Sequence, residues 1–193
     1  MSMKKRRVLV SLLLSAIAAL VASDGHTVMA GSTSLRVESH SLREGAGLPS
    51  TRFVDGRCGG ENVSPDIFWR NTPKGTKSFA LTMFDPDAGG GRGWWHWIVF
   101  GIPASVGNLP EGASRSGGMP AGVVQGTGDF GENGYQGPCP PQGDTPHHYV
   151  LTVYALDEAN VALDATATGA KAAVLFRQHA LATGSIVFLY GRP

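Results

Sequence analysis

The chain has 193 residues, a net charge of +1 and a charged fraction of only 16%. That length suits one well-packed domain with room for a removable leader, and the absence of a basic patch argues against nucleic acid as a partner. Its 27 glycines and 12 prolines imply many turns and irregular connections, and so a β-rich fold.

Lys4-Lys5-Arg6-Arg7 precede an apolar run from Val8 to Ala22, and Val28-Met29-Ala30 offers small or moderate side chains where a signal peptidase reads. A basic start, roughly 15 apolar residues and such a site describe a secretory leader over residues 1–30. Cleavage is expected after Ala30, with Ala22 as the second choice and a retained N-terminal anchor as the alternative. Residues 31–193 are then a secreted or periplasmic domain, with no later stretch apolar and long enough to span a bilayer. In an oxidising compartment the two cysteines, Cys58 and Cys139, can pair. The closed loop of about 80 residues allows roughly 4 kcal/mol at most. Two separate buried thiols are the alternative.

Ser34 to Ser39 alternates apolar and polar residues and reads as a first strand. Residues 41–60 are turn-rich. Asp66 to Trp69 reads as a short strand. Phe79 to Phe84 and Trp97 to Ile102 are apolar with weak alternation, so both are predicted to be strands buried on two faces. Pro103 to Gly118 reads as a long connection and Val123 to Gly126 as a brief strand. Gly128 to Pro146 is saturated with glycine, proline and turn residues, which excludes a helix. A long irregular segment of this kind is usually functional. Tyr149 to Leu156 alternates clearly. Thr168 to Thr183 is the one good helix, with Gly184 as its stop, and Ile186 to Tyr190 is a final strand. The sum is a mainly β fold with one C-terminal helix.

The most informative stretch is Leu81 to Phe100, LTMFDPDAGGGRGWWHWIVF. Two apolar strands flank a loop holding Asp85 and Asp87, and the returning strand carries His96 among tryptophans. A strand interior is an expensive place for histidine without a partner. His147-His148 stands where the irregular segment becomes a strand. One pocket is therefore expected from Asp85, His96 and one of His147 or His148, floored by tryptophans and loop prolines. Imidazole and glycine-loop N–H groups suit an oxyanion. Asp85 would fix a histidine tautomer or accept from a ligand hydroxyl or ammonium. The competing reading makes His96 a core histidine bonded to a carbonyl and Asp85 the cap of its own turn. Two histidines and an aspartate can ligate zinc, but the spacing lacks a compact ligand pair, and no metal or other cofactor is expected. No GxSxG elbow activates a serine. By alternation Trp95 and Trp97 share one face of their strand, and His96 and Trp94 the other.

Several segments together resemble the phosphatidylethanolamine-binding protein family, in particular its bacterial, Raf kinase inhibitor-like branch. They are Asp85-Pro86-Asp87-Ala88, Gly93 to Trp97, Gly134 to Gly143 (GYQGPCPPQG) and Pro146-His147-His148-Tyr149, extended by Cys58 to Pro65 and Gly184 to Tyr190. The resemblance implies a sandwich of two sheets with a C-terminal helix. It also implies a small anion pocket for phosphate-like groups such as phospholipid head groups. Matched residue by residue, the pocket would use Asp85, His96, His147, Tyr149, Gly137 and Pro141, with Trp94 beside His96. His148 stands where many members carry arginine, and Gly89-Gly90-Gly91-Arg92 replaces a proline that usually follows the alanine. The implied function is non-enzymatic binding of a head group, with a protein target as a second partner. The alternatives are a secreted inhibitor of a peptidase or kinase-like target, acting through the pocket rim and the 103–118 segment, and a weak hydrolase using the His/Asp pocket.

Overall fold

The computed structural model describes residues 34–193, so the leader expected over residues 1–30 lies outside the described residues. Along the chain come β1 (Arg36–Glu38), β2 (Ile67–Arg70), β3 (Ser78–Asp85), β4 (Trp94–Pro103), β5 (Asn108–Leu109), β6 (Val124–Gln125), β7 (His147–Leu156), α1 (Gly169–His179) and β8 (Ala180–Tyr190). They form two antiparallel sheets, a small one in the order β1-β2-β5 and a large one in the order β6-β4-β3-β7-β8. The segment read as a bare connection, 103–118, thus contributes β5 to the small sheet, where Ile67 pairs with Leu109.

Alternation places the two cores. Phe79, Leu81 and Met83 of β3 are fully buried in the core between the sheets, with Ile67, Trp69 and Leu109. Ala80, one step out of phase, faces the second core with Ala172 and Phe176 of α1. The central strand is covered on both faces, which explains its weak polar alternation.

Two differences from the sequence reading matter most. The helix ends at His179, four residues early, because Ala180 to Thr183 pair with β7 along the register Leu156↔Ala180 to Tyr154↔Thr183. Tertiary pairing outweighs the helical preference of these alanines. Gly184 therefore stops no helix. It lies inside β8, where a Cβ would meet the Leu35 carbonyl oxygen at 2.1 Å.

The second difference shapes the site. The β3–β4 ladder runs Met83↔Trp97 and then Phe84↔Trp95, so His96 is an extra residue in β4. A bulge of this kind breaks the period of two. Trp97 consequently packs in the inter-sheet core, whereas Trp95 packs on the helix side, where a Cβ on Gly169 would lie 2.1 Å from its Cγ. Trp95 and Trp97 do not share a face. Trp94 and His96 do line one cavity together.

Candidate functional site

The cavity lies where β3 ends and β4 and β7 begin. Asp85 follows Met83 by two on β3, and His147 and Tyr149 precede Leu151 in phase on β7. All of these side chains therefore lie on the inter-sheet side. The cavity measures about 420 Å³, within the range of small-molecule sites. Asp85, Trp94, His96, Pro141, His147 and Tyr149 are among its lining residues.

Asp85 is 2% exposed and uses both oxygens. Oδ1 accepts from the Asp87 and Ala88 N–H groups at 2.9 and 3.0 Å, which closes the turn after β3. Oδ2 lies 2.8 Å from His147 Nδ1. The turn cap and the tautomer-fixing role, posed as alternatives from sequence, are both present. With Nδ1–H donating to the carboxylate, Nε2 of neutral His147 is an acceptor. It lies 3.6 Å from Asp144 Oδ2 at the rim.

His96 is also bonded as a core histidine would be. Its Nδ1 donates to the Gln136 carbonyl at 2.8 Å, so its Nε2 is an acceptor while the ring is neutral. Burial pushes the His96 pKa down, against the pull of the Gln136 carbonyl and the Asp85 charge, so the ring is neutral at pH 7. Tyr149 is fully buried and stacks edge-on against His96 at 5.2 Å between ring centres. Burial, and then the Asp85 charge, hold its hydroxyl protonated far above the usual phenol range. The Trp94 indole N–H is buried without a hydrogen-bond partner among the described residues, and the Tyr149 hydroxyl, which faces the Asp85 carboxylate, makes no hydrogen bond of ordinary geometry there. Buried polar groups are otherwise almost always paired.

Gly137 departs from its expected role. It does not line the cavity; its N–H donates to Asn62 Oδ1 at 2.8 Å, and a Cβ there would lie 2.2 Å from the Phe53 carbonyl oxygen. The 103–118 segment contributes no lining residue either. His148 turns away from His147 by strand alternation and sits exposed, with its Nδ1 and its backbone N–H 2.8 and 2.7 Å from Asp87 Oδ2. The His148 N–H and then its ring hold the Asp87 carboxyl below the usual range.

Asp87, Asp144 and Phe130 also line the cavity but were absent from the sequence-derived set. Phe130 packs edge-on against Trp94 and His96 at 5.2 and 5.6 Å. A lone aromatic in the run GDFGENG was its only signal. The loop after Ala88 is a row of left-handed glycines. Gly93, at φ 76°, is where a side chain would be strained, and a Cβ there would fall 2.0 Å from Phe84 Cζ, so the Phe84 ring would have to move. Cys58 and Cys139 form a disulfide with Cα atoms 5.6 Å apart, and Cys139 is part of the cavity wall.

Residues 38–191 match the family model for phosphatidylethanolamine-binding protein. The chain belongs to the phosphatidylethanolamine-binding protein family. The UPF0098 protein YbcL of Escherichia coli is 42% identical over 167 residues, spanning 85% of this chain and 91% of that protein. The crystal structure of E. coli YbcL, titled a new member of the mammalian PEBP family, superposes with a TM-score of 0.79 over 83% of this chain and 99% of that one. A Mycobacterium tuberculosis relative, named as lipoprotein LppC, is 37% identical over 164 residues, 85% of this chain and 76% of that protein. The Cys58–Cys139 disulfide is of a kind that persists chiefly in oxidising compartments. Among the described residues, no helix is long and apolar enough to cross a membrane.

Proposed function

We propose that this family member is a non-enzymatic binding protein whose cavity takes a small phosphate-like group from a zwitterionic head group. The observation that carries this reading is the pair of buried donors, the Tyr149 hydroxyl and the Trp94 N–H, left without well-formed protein hydrogen bonds beside His96 and His147. Donors in such a setting are worth most when a ligand oxygen accepts from them.

The charge of the lining narrows the ligand. Asp85, Asp87 and Asp144 line the cavity, and neither lysine nor arginine does. A bare phosphate dianion is repelled by that set. A ligand that carries an ammonium as well matches the carboxylates and the two Nε2 acceptors at neutral pH. Acidification changes the balance, because each protonated imidazole turns its Nε2 from acceptor to donor. For His96 this occurs below the ordinary imidazole range, since burial depresses its pKa.

The test is titration calorimetry with glycerophosphoethanolamine, whose phosphodiester and ammonium hold their charges across the range. Binding should tighten as the pH falls below the ordinary imidazole range, where the buried His96 gains its proton. Tighter binding at neutral pH contradicts the reading. Inorganic phosphate at neutral pH should bind more weakly than the zwitterion.

A further inference from the structure

Cys139 is a lining residue of the cavity that is covalently tied to a segment outside it, since Cys58 is not part of the lining. The wall around it reads Pro138-Cys139-Pro140-Pro141, and three of these four residues have no N–H. It cannot be secured by a full ladder of backbone donors. Its carbonyls take three hydrogen bonds, from the Asp55 N–H to Pro138 at 3.2 Å, from Arg192 Nε to Pro140 at 2.7 Å and, at a long 3.4 Å, from the Asp144 N–H to Pro141.

The turn that holds Cys58 braces a second piece of the cavity. Asp55 caps it by accepting from the Arg57 N–H at 2.8 Å. The Arg57 guanidinium lies 3.8 Å over the Phe130 ring and donates to Gln136 Oε1 at 3.2 Å. The Asp55–Gly60 turn thus supports Phe130 through a stack and the proline wall through the disulfide. Both cysteines are half-buried rather than sealed in the core.

We propose that the Cys58–Cys139 disulfide is a redox latch on this cavity: reduction by a dithiol loosens the 138–141 wall and weakens head-group binding. The inference rests on the head-group reading above for its ligand, but its structural half does not. In the step itself, a dithiol thiolate attacks one sulfur and forms a mixed disulfide. The second thiol of the reductant then displaces the remaining protein sulfur. Two electrons and two protons pass to Cys58 and Cys139, and the reductant closes to its own disulfide. By linkage the effect is reciprocal. If reduction weakens binding by a given factor, ligand at saturation disfavours reduction by the same factor.

Two measurements on one sample test this. Glycerophosphoethanolamine is titrated into the oxidised protein and into the protein reduced with dithiothreitol, and hydrogen exchange is followed over peptides covering residues 136–143. Reduction should weaken binding about tenfold and speed exchange in those peptides, with far-ultraviolet dichroism unchanged. Saturating ligand should then lower the potential of the bond by about 30 mV. The Cys58→Ala/Cys139→Ala variant should bind like the reduced protein and ignore the dithiol. Equal affinity in both redox states overturns the latch. So does unchanged exchange at 136–143, or global unfolding on reduction, which would make the bond a staple of the whole fold. Failure of the oxidised protein to bind the probe sinks the head-group reading instead, and the exchange result then judges the latch alone.

Discussion

Replacing Asp85 with alanine should abolish head-group binding and lower stability by about 3 kcal/mol. Asp85 is buried and satisfies three donors at once: the N–H groups of Asp87 and Ala88, and Nδ1–H of His147. Truncation leaves the buried imidazole without its partner and opens the turn that carries the glycine loop. The two backbone donors lie near the surface, where water can take them, so most of the loss comes from the His147 bond. The imidazole then no longer holds one tautomer, and its Nε2 is no longer defined as acceptor or donor towards a ligand. Denaturant unfolding reads the stability and calorimetry the binding. Asp85→Asn keeps an acceptor for the turn and should recover part of the stability but little of the affinity. A variant lacking Asp85 that binds normally would remove the carboxylate–imidazole pair from the site.

Gly137→Ala should be as damaging, for a different reason. The added methyl would meet the Phe53 carbonyl oxygen at 2.2 Å, the Asp55 nitrogen at 2.6 Å and the Val54 carbonyl carbon at 2.7 Å. All three are backbone atoms and cannot rotate aside. The two segments must separate, which breaks the Gly137 N–H bond to Asn62 and strains the Asp55–Pro138 bond. A loss of about 3 kcal/mol is expected in chemical denaturation. Gly56→Ala, where a Cβ meets nothing within 4 Å, should be near neutral. Unchanged stability in Gly137→Ala with lost affinity would return Gly137 to the ligand-contact role that the family resemblance implied.

The sandwich of two sheets and its C-terminal helix were legible because apolar runs, turn clusters and family motifs agreed. From the residues, either His147 or His148 could meet Asp85, and the family resemblance alone named His147, which the structure places 2.8 Å from Asp85 Oδ2. The placement of the tryptophans was not legible. Strict alternation put Trp95 with Trp97, and only the ladder shows that His96 is the extra residue that reverses them. A bulge leaves no mark in residue type when both neighbours are tryptophan. The end of α1 was hidden because Ala180 to Thr183 suit a helix locally and become strand only by pairing with β7. Gly137 carried a ligand role by resemblance, whereas its geometry shows close backbone packing. Phe130 and Asp144 come from loops without periodicity, and three-dimensional closure alone brings them to the cavity.

The most direct test of the head-group reading is Tyr149→Phe, which deletes one oxygen from a fully buried ring. The hydroxyl faces Asp85 but makes no protein hydrogen bond of ordinary geometry, so its removal should change the stability of the free protein little. Binding of glycerophosphoethanolamine, measured by calorimetry at about pH 5.5, should weaken by about tenfold or more, because the ligand oxygen loses its donor. Unchanged affinity with intact stability would contradict the account, and would show that the cavity beside His96 is not where the phosphate group binds.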